Sequence, residues 1–313
     1  IYGKTGTGKS LITRHVVQRA CSATTENGLL PPPRLHEAIS VVFESDPHGP
    51  RMSTTAHAPG SVTPLFVPRD DDTSLGISFA TADGVTATVE PASATTLYLD
   101  GRPTRVEPVT GLLDRLQVTA TVRLDLSVPI GAGFGASGAA TLATALAVNA
   151  ELDLGRTREE LVQTAHRAEV AAGTGLGDVF IQERGGVVWD AGDGLQHTTR
   201  TARIEYASYG DIATAAVLGD EGTLARVTEA GRDALAEVDP EGSMEALFHR
   251  AWQFADRTGL ATERVADAVA TVQEAGGAAT MAMLGETVVA TGVEGVFDDE
   301  TCITADGAAV EGE

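Results

Sequence analysis

Two glycine-rich runs hold the residues of this chain best suited to phosphate chemistry. Residues 129–141 read PIGAGFGASGAAT, after an alternating strand pattern and before an Ala/Leu-rich helix pattern. Gly131, Gly133 and Gly135 permit close backbone approach. A helix start offers free N–H groups and a positive dipole end to an anion. The second run, Gly3–Ser10, reads GKTGTGKS and is a full match to G-x-x-x-x-G-K-[ST]. There Lys9 would reach the β/γ oxygens of a nucleotide and Ser10 a magnesium ion. A lone glycine loop is as readily an ordinary strand–helix turn, so the surrounding elements must decide between the two.

Those elements favour the later run. Residues 117–128 (QVTATVRLDLSV) alternate over their length, with Val118, Ala120, Val122, Leu124, Leu126 and Val128 on one face. A helix is expected from about Ser137 to Asn149. A second begins at a capping box, Thr157-x-x-Glu160, and stops at Gly173. Residues 173–178 (GTGLGD) read as a tight loop and 185–189 as the next strand. Val85–Val89 alternates behind an Asp83-Gly84 turn signal. Residues 222–275 are mostly helical in pattern, ending in 276–285 (GGAATMAMLG) and an apolar strand, Thr287–Thr291. The earlier run has no such support. Only Ile1 and Tyr2 stand where its preceding strand should be, and a P-loop needs a parallel sheet behind it. A Pro/Gly cluster, 45–50, marks a boundary at about residue 51.

The chain has 313 residues and a net charge of −22. Both lysines, Lys4 and Lys9, lie in the first ten residues, and every later fixed cation is Arg. Dispersed acid without lysine reads as a halophile's solvated surface, whose repulsion salt screens. Such a charge argues against nucleic acid as a partner, and a nucleic-acid-associated ATPase using Gly3–Ser10 is the alternative reading. No apolar run is long enough to span a membrane. With two cysteines and no apolar leader, a cytoplasmic location is expected.

Companion motifs give the later run an identity. The segment 129–140 resembles the P-x-x-x-G-L-G-S-S-A-A signature of GHMP small-molecule kinases, with Phe134 for Leu and Ala136 for the first Ser. Ala58-Pro59-Gly60 is similar to that family's A-P-G opening. Glu169 followed by Gly173–Asp178 matches its metal carboxylate and base, and 276–285 its C-terminal glycine motif. The resemblance covers residues 52 to about 292. It implies an α+β, two-domain GHMP kinase fold, preceded by a P-loop-containing fragment at 1–51. The first domain (52–200) would be a β-α-β nucleotide domain, and the second (201–313) a ferredoxin-like α+β domain. It further implies that ATP lies on Pro129, Gly131, Gly133, Gly135, Ala136, Ser137 and Gly138. Mg²⁺ would be held by Ser137 and Glu169, and Asp178 would take the acceptor's proton.

Within the family, 171–186 and 281–285 most resemble archaeal pantoate kinases, which serve coenzyme A biosynthesis. That implies pantoate as the small-molecule partner, with His166 and Ser74 on the substrate side; a homodimer is left open. Four positions depart from that pattern: Ser61 stands for His, Pro64 for Gly, Leu75 for Arg, and Trp189-Asp190 where an Arg would meet the carboxylate. Arg184 is a substitute cation. Residues 1–16 resemble the P-loop of archaeal origin-recognition ATPases of the AAA+ class, with no sheet to dock on.

Overall fold

The computed structural model describes residues 53–69, 73–211, 220–283 and 285–312. The expected P-loop fragment, with Gly3–Ser10, lies outside the described residues.

The scaffold is a long antiparallel hairpin, β1 (Thr54–Pro68) on β2 (Ser74–Pro91). β1 is buried over most of its length, with no inside–outside alternation from Ala58 to Val62. Asp83-Gly84 is not a turn between two strands. It lies inside β2, opposite Pro59, where the register of the pair shifts at Pro59/Gly60. A Cβ on Gly84 would fall 2.1 Å from the Ala58 carbonyl oxygen. The glycine thus marks a bulge where two backbones meet closely.

β3 (Thr96–Leu99) and β4 (Arg102–Thr104) form a small edge hairpin. After α1 (Glu107–Leu116), β5 (Ala120–Leu126) runs antiparallel to β2 and parallel to β3. The alternation holds in β5: Ala120, Val122 and Leu124 are buried, while Arg123 and Asp125 face solvent.

α2 (Ala136–Glu151) follows, buried at every position from Gly138 to Val148. Its Ala-rich sequence suits that site, since a helix enclosed on all sides needs small apolar side chains. α3 (Arg158–Ala172) starts with both halves of the expected capping box. Thr157 Oγ1 accepts from the Glu160 N–H at 3.2 Å, and Glu160 Oε2 accepts from the Thr157 N–H at 2.9 Å. Gly173, left-handed, ends it. The 173–178 turn then opens a short helix, α4 (Asp178–Arg184), that periodicity did not signal.

β6 (Val187–Asp190) pairs with the first half of β2 and with β7 (Gln196–Thr198). β8 (Ala202–Asp211) comes next. The helical stretch divides into α5 (Glu221–Glu237), α6 (Met244–Thr258) and α7 (Glu263–Glu274), with Ser243 and Thr262 as N-caps and Gly259 as a left-handed stop. β9 (Ala278–Ala282) and β10 (Gly285–Thr291) follow. β11 (Asp299–Ile303) pairs with β8 and reaches β2, and β12 (Ala309–Val310) pairs with β1. The end of the chain therefore rejoins the first hairpin.

One core fills the space among β1, β2, β5 and α1–α3. A second lies beneath α5–α7 and includes Leu65, Phe66, Phe254, Val265 and Met281. Phe66 and Phe254 meet edge to face, their centroids 6.2 Å apart. The result is a mixed α+β fold. Among the described residues, no helix is long and apolar enough to cross a membrane.

Candidate active site

Segments distant in sequence converge on a cavity of about 820 Å³. Its wall includes Ser74, the glycine run from Ile130 to Gly138, the turn Gly173–Asp178, Arg184 and Trp189.

The glycine run forms the turn into α2. Gly131, Gly133 and Gly135 adopt φ of 75°, 79° and 60°, all left-handed. Gly135 is the N-cap of α2, and no side chain caps that helix. Its first N–H groups and the positive end of its dipole therefore meet the cavity beside Ala136, Ser137 and Gly138. Gly135 admits no larger residue: a Cβ there would fall 2.1 Å from Ser61 Oγ and 2.8 Å from Gln182 Nε2. The C-terminal glycine motif backs the loop. Gly285 packs so closely that a Cβ would come 2.5 Å from the Ala132 carbonyl, and Met283 reaches the cavity wall.

Two carboxylates flank the far side of the turn. Glu169, in the last turn of α3, is 2% exposed. Its Oε1 accepts from Ser137 Oγ at 3.0 Å and Thr141 Oγ1 at 2.7 Å, and its Oε2 from Thr174 Oγ1 at 2.9 Å. Burial holds its pKa above the ordinary Glu value; the three hydroxyls oppose that rise and the Asp178 charge adds to it. Asp178 opens α4 at the cavity wall. Burial raises its pKa as well, against the hydrogen bond from Ser61 and its own backbone N–H. A Cβ on Gly175 would lie 3.2 Å from Glu169 Oε2 and 3.3 Å from Asp178 Oδ2, so both carboxylates converge on one glycine.

This donor set consists of oxygens, as a hard divalent cation requires. Among the described residues, no cluster of three or more His, Cys, Asp or Glu could hold a metal unaided. A cation here would share Glu169 and the Ser137 hydroxyl with oxygens of a bound ligand, the usual situation for magnesium at a phosphate site.

Of the residues singled out from sequence, Gly131, Gly133, Gly135, Ala136, Ser137, Gly138, Ser74 and Asp178 line the cavity. Glu169 sits directly behind Ser137. Pro129 and His166 are not on the wall. The His166 ring packs against Phe180, which is, at 4.8 Å between centroids.

Three participants were not anticipated: Thr141, Thr174 and Gln182. Thr141 follows Ser137 by one helical turn, and Gln182 follows Asp178 by the same interval; that spacing was the available signal. Arg184 is the sole Lys, Arg or His among the described residues that line the cavity. Both large hydrophobic side chains that stand exposed among the described residues, Ile130 (68%) and Leu195 (40%), are also at this cavity.

Comparison with known proteins agrees with this geometry. Residues 106–186 match the family described as the GHMP kinases N terminal domain. The chain is similar to the pantoate kinase of Methanospirillum hungatei, 27% identical over 256 residues, covering 76% of this chain and 87% of that protein. To the pantoate kinase of Thermococcus kodakarensis it is 36% identical over 140 residues, 42% of this chain and 45% of the relative. Among solved structures, a phosphotransferase related to the CoA biosynthesis pathway superposes with a TM-score of 0.73 at 23% identity, over 83% of this chain and 98% of that one. The homoserine kinase of Cytophaga hutchinsonii gives 0.61 at 15% identity, over 87% and 100%.

Proposed function

We propose that this chain, which belongs to the GHMP kinase family, is an ATP-dependent kinase of pantoate in coenzyme A biosynthesis. The observation that carries the phosphoryl-transfer reading is the placing of the uncapped α2 start and Asp178 on one cavity wall. The acceptor follows from likeness to pantoate kinases over most of the chain.

On this reading the backbone N–H groups of 131–138 hold the nucleotide phosphates, aided by the dipole of α2. Glu169 and Ser137 would hold magnesium, which would offset charge on the phosphates. Asp178 orients the acceptor hydroxyl and takes its proton. The hydroxyl oxygen bonds to the γ-phosphorus as the bond to the bridging oxygen of ADP breaks. With no lysine beyond residue 10, Arg184 is left to meet the acceptor's carboxylate. Ser74 contacts the same acceptor. His166 supports that part of the wall through Phe180.

We assign residues 52–200 to a nucleotide domain and 201–313 to a ferredoxin-like domain, the second core lying chiefly under helices of the latter. The net charge of −22, with no lysine beyond residue 10, suits work in molar salt. The test is ADP release at molar salt with magnesium, comparing pantoate with mevalonate, homoserine and shikimate. Pantoate is expected to give the highest kcat/KM. Another acceptor in first place overturns the substrate, and no ADP with any of them overturns the kinase.

A further inference from the structure

A single buried amide joins the phosphate loop to the carboxylate that meets the acceptor. Gln182 Nε2 donates to the Gly135 carbonyl at 2.8 Å and to Ser61 Oγ at 3.2 Å. Ser61 Oγ in turn donates to Asp178 Oδ1 at 2.8 Å, and its backbone N–H donates to the Phe134 carbonyl at 2.9 Å. The directions are determined. A carbonyl can only accept, so the Gln182 nitrogen faces Gly135. Ser61 has one proton, and it goes to the carboxylate.

The cost of this arrangement is visible. Gln182 is fully buried, and its Oε1 has no hydrogen-bond partner. Leaving such an oxygen unmatched is expensive, so an apolar side chain would suit the position better if packing were its only task. The N–H half does what an apolar residue cannot. It holds a serine that is 1% exposed against one oxygen of Asp178. The other oxygen, Oδ2, is the one that points toward Gly175 at the cavity wall.

The geometry points to Ser61 and Gln182 as a pair of positioning residues, which fix the Asp178 carboxylate and lock its orientation to the phosphate loop through Gly135. Neither touches the reacting atoms. The pair acts through Asp178, so this inference rests on the proposed role of Asp178 as acceptor of the hydroxyl proton. Among the described residues, the carboxylate is held by a neutral hydroxyl, and the hydroxyl by an amide.

The experiment is a double-mutant cycle read by steady-state kinetics at saturating magnesium. Ser61→Ala should lower kcat about ten- to a hundredfold, the size of effect that misplacement of a catalytic group produces. The KM for ATP should stay within about twofold. Ser61→Cys keeps the volume with a weak donor and should fall between wild type and Ser61→Ala; it also serves if the alanine variant does not fold. Gln182→Leu should reproduce the loss in kcat. In an Asp178→Asn background, Ser61→Ala should cost no more than about twofold, because the base that Ser61 positions is gone. Full kcat in both Ser61 variants overturns the inference and leaves Asp178 in place. So does an undiminished loss in the Asp178→Asn background. Full turnover by Asp178→Asn alone would instead remove the base itself, and the positioning role with it.

Discussion

The Thr141 hydroxyl donates to Glu169 Oε1 at 2.7 Å, one helical turn below Ser137, which donates to the same oxygen at 3.0 Å. A buried carboxylate is thus held by side chains from α2 and from the turn after α3. Thr141→Val keeps the shape and removes a donor. Glu169 keeps its bonds from Ser137 and Thr174, and losing one hydrogen bond to a charged group costs about 1.5–3 kcal/mol. The variant should lose that much stability by chemical denaturation and bind nucleotide with magnesium more weakly.

That contact also shows what could be read in advance. The capping box at Thr157 and Glu160 and the left-handed stop at Gly173 are local, and they stand where the sequence places them. The glycine run was legible because three glycines, the residues that most readily take a positive φ, stand between a strand pattern and an Ala-rich helix pattern. Asp83-Gly84 was misread because a bulge and a turn ask for the same residues, and only the partner strand tells them apart. Ser61 and Gln182 lie 121 positions apart, and their meeting depends on how α4 docks against β1. No local pattern encodes that docking. The spacing of Gln182 from Asp178 placed both on one face of a turn but gave Gln182 no partner.

Burial raises the pKa of Glu169 and of Asp178. For a carboxyl raised in the folded state, the charged form is the disfavoured one. Its contribution to stability is fully present below the unfolded value, near 4, and is lost as pH rises through the folded value. The ligand-free protein should therefore gain stability from Asp178→Asn at neutral pH, and the gain should vanish toward pH 4. Each kcal/mol relieved corresponds to about 2–4 °C in Tm for a chain of this class. The same variant should lose about 10²–10⁴-fold in kcat. Thermal unfolding across pH, in parallel with ADP release, measures both; a Tm that does not rise at neutral pH contradicts the burial argument.

Two left-handed glycines make a controlled pair. Gly135 has φ of 60° with Ser61 Oγ and Gln182 Nε2 in the way of any Cβ, whereas Gly155 has φ of 63° and nothing within 4 Å. Gly155→Ala should cost only the backbone term, about 1–2 kcal/mol, and leave activity intact. Gly135→Ala carries the same term plus a clash, and should also abolish nucleotide binding. Equal losses in the two variants would show that the contacts around Gly135 do not constrain the loop.

Arg184 separates recognition from chemistry. Its side chain is 37% exposed, and among the described residues its polar contacts run through Nη1, to the Phe180 carbonyl at 3.2 Å and to Glu183 Oε2 at 3.4 Å. Nε and Nη2 remain available to a ligand carboxylate, which the planar fork of Arg can meet at two points. Arg184→Met keeps the aliphatic stem and removes the charge. A hydrogen bond to a charged group contributes about 1.5–3 kcal/mol, so kcat/KM for pantoate should fall roughly ten- to a hundredfold, with the KM for ATP unchanged. The discriminating acceptor is an amide of pantoate, which lacks the negative charge: wild type should use it poorly, and Arg184→Met should use it no worse than wild type does. If the variant loses the amide and the carboxylate by the same factor, Arg184 serves the wall and not the charge, and the acceptor's carboxylate is held elsewhere.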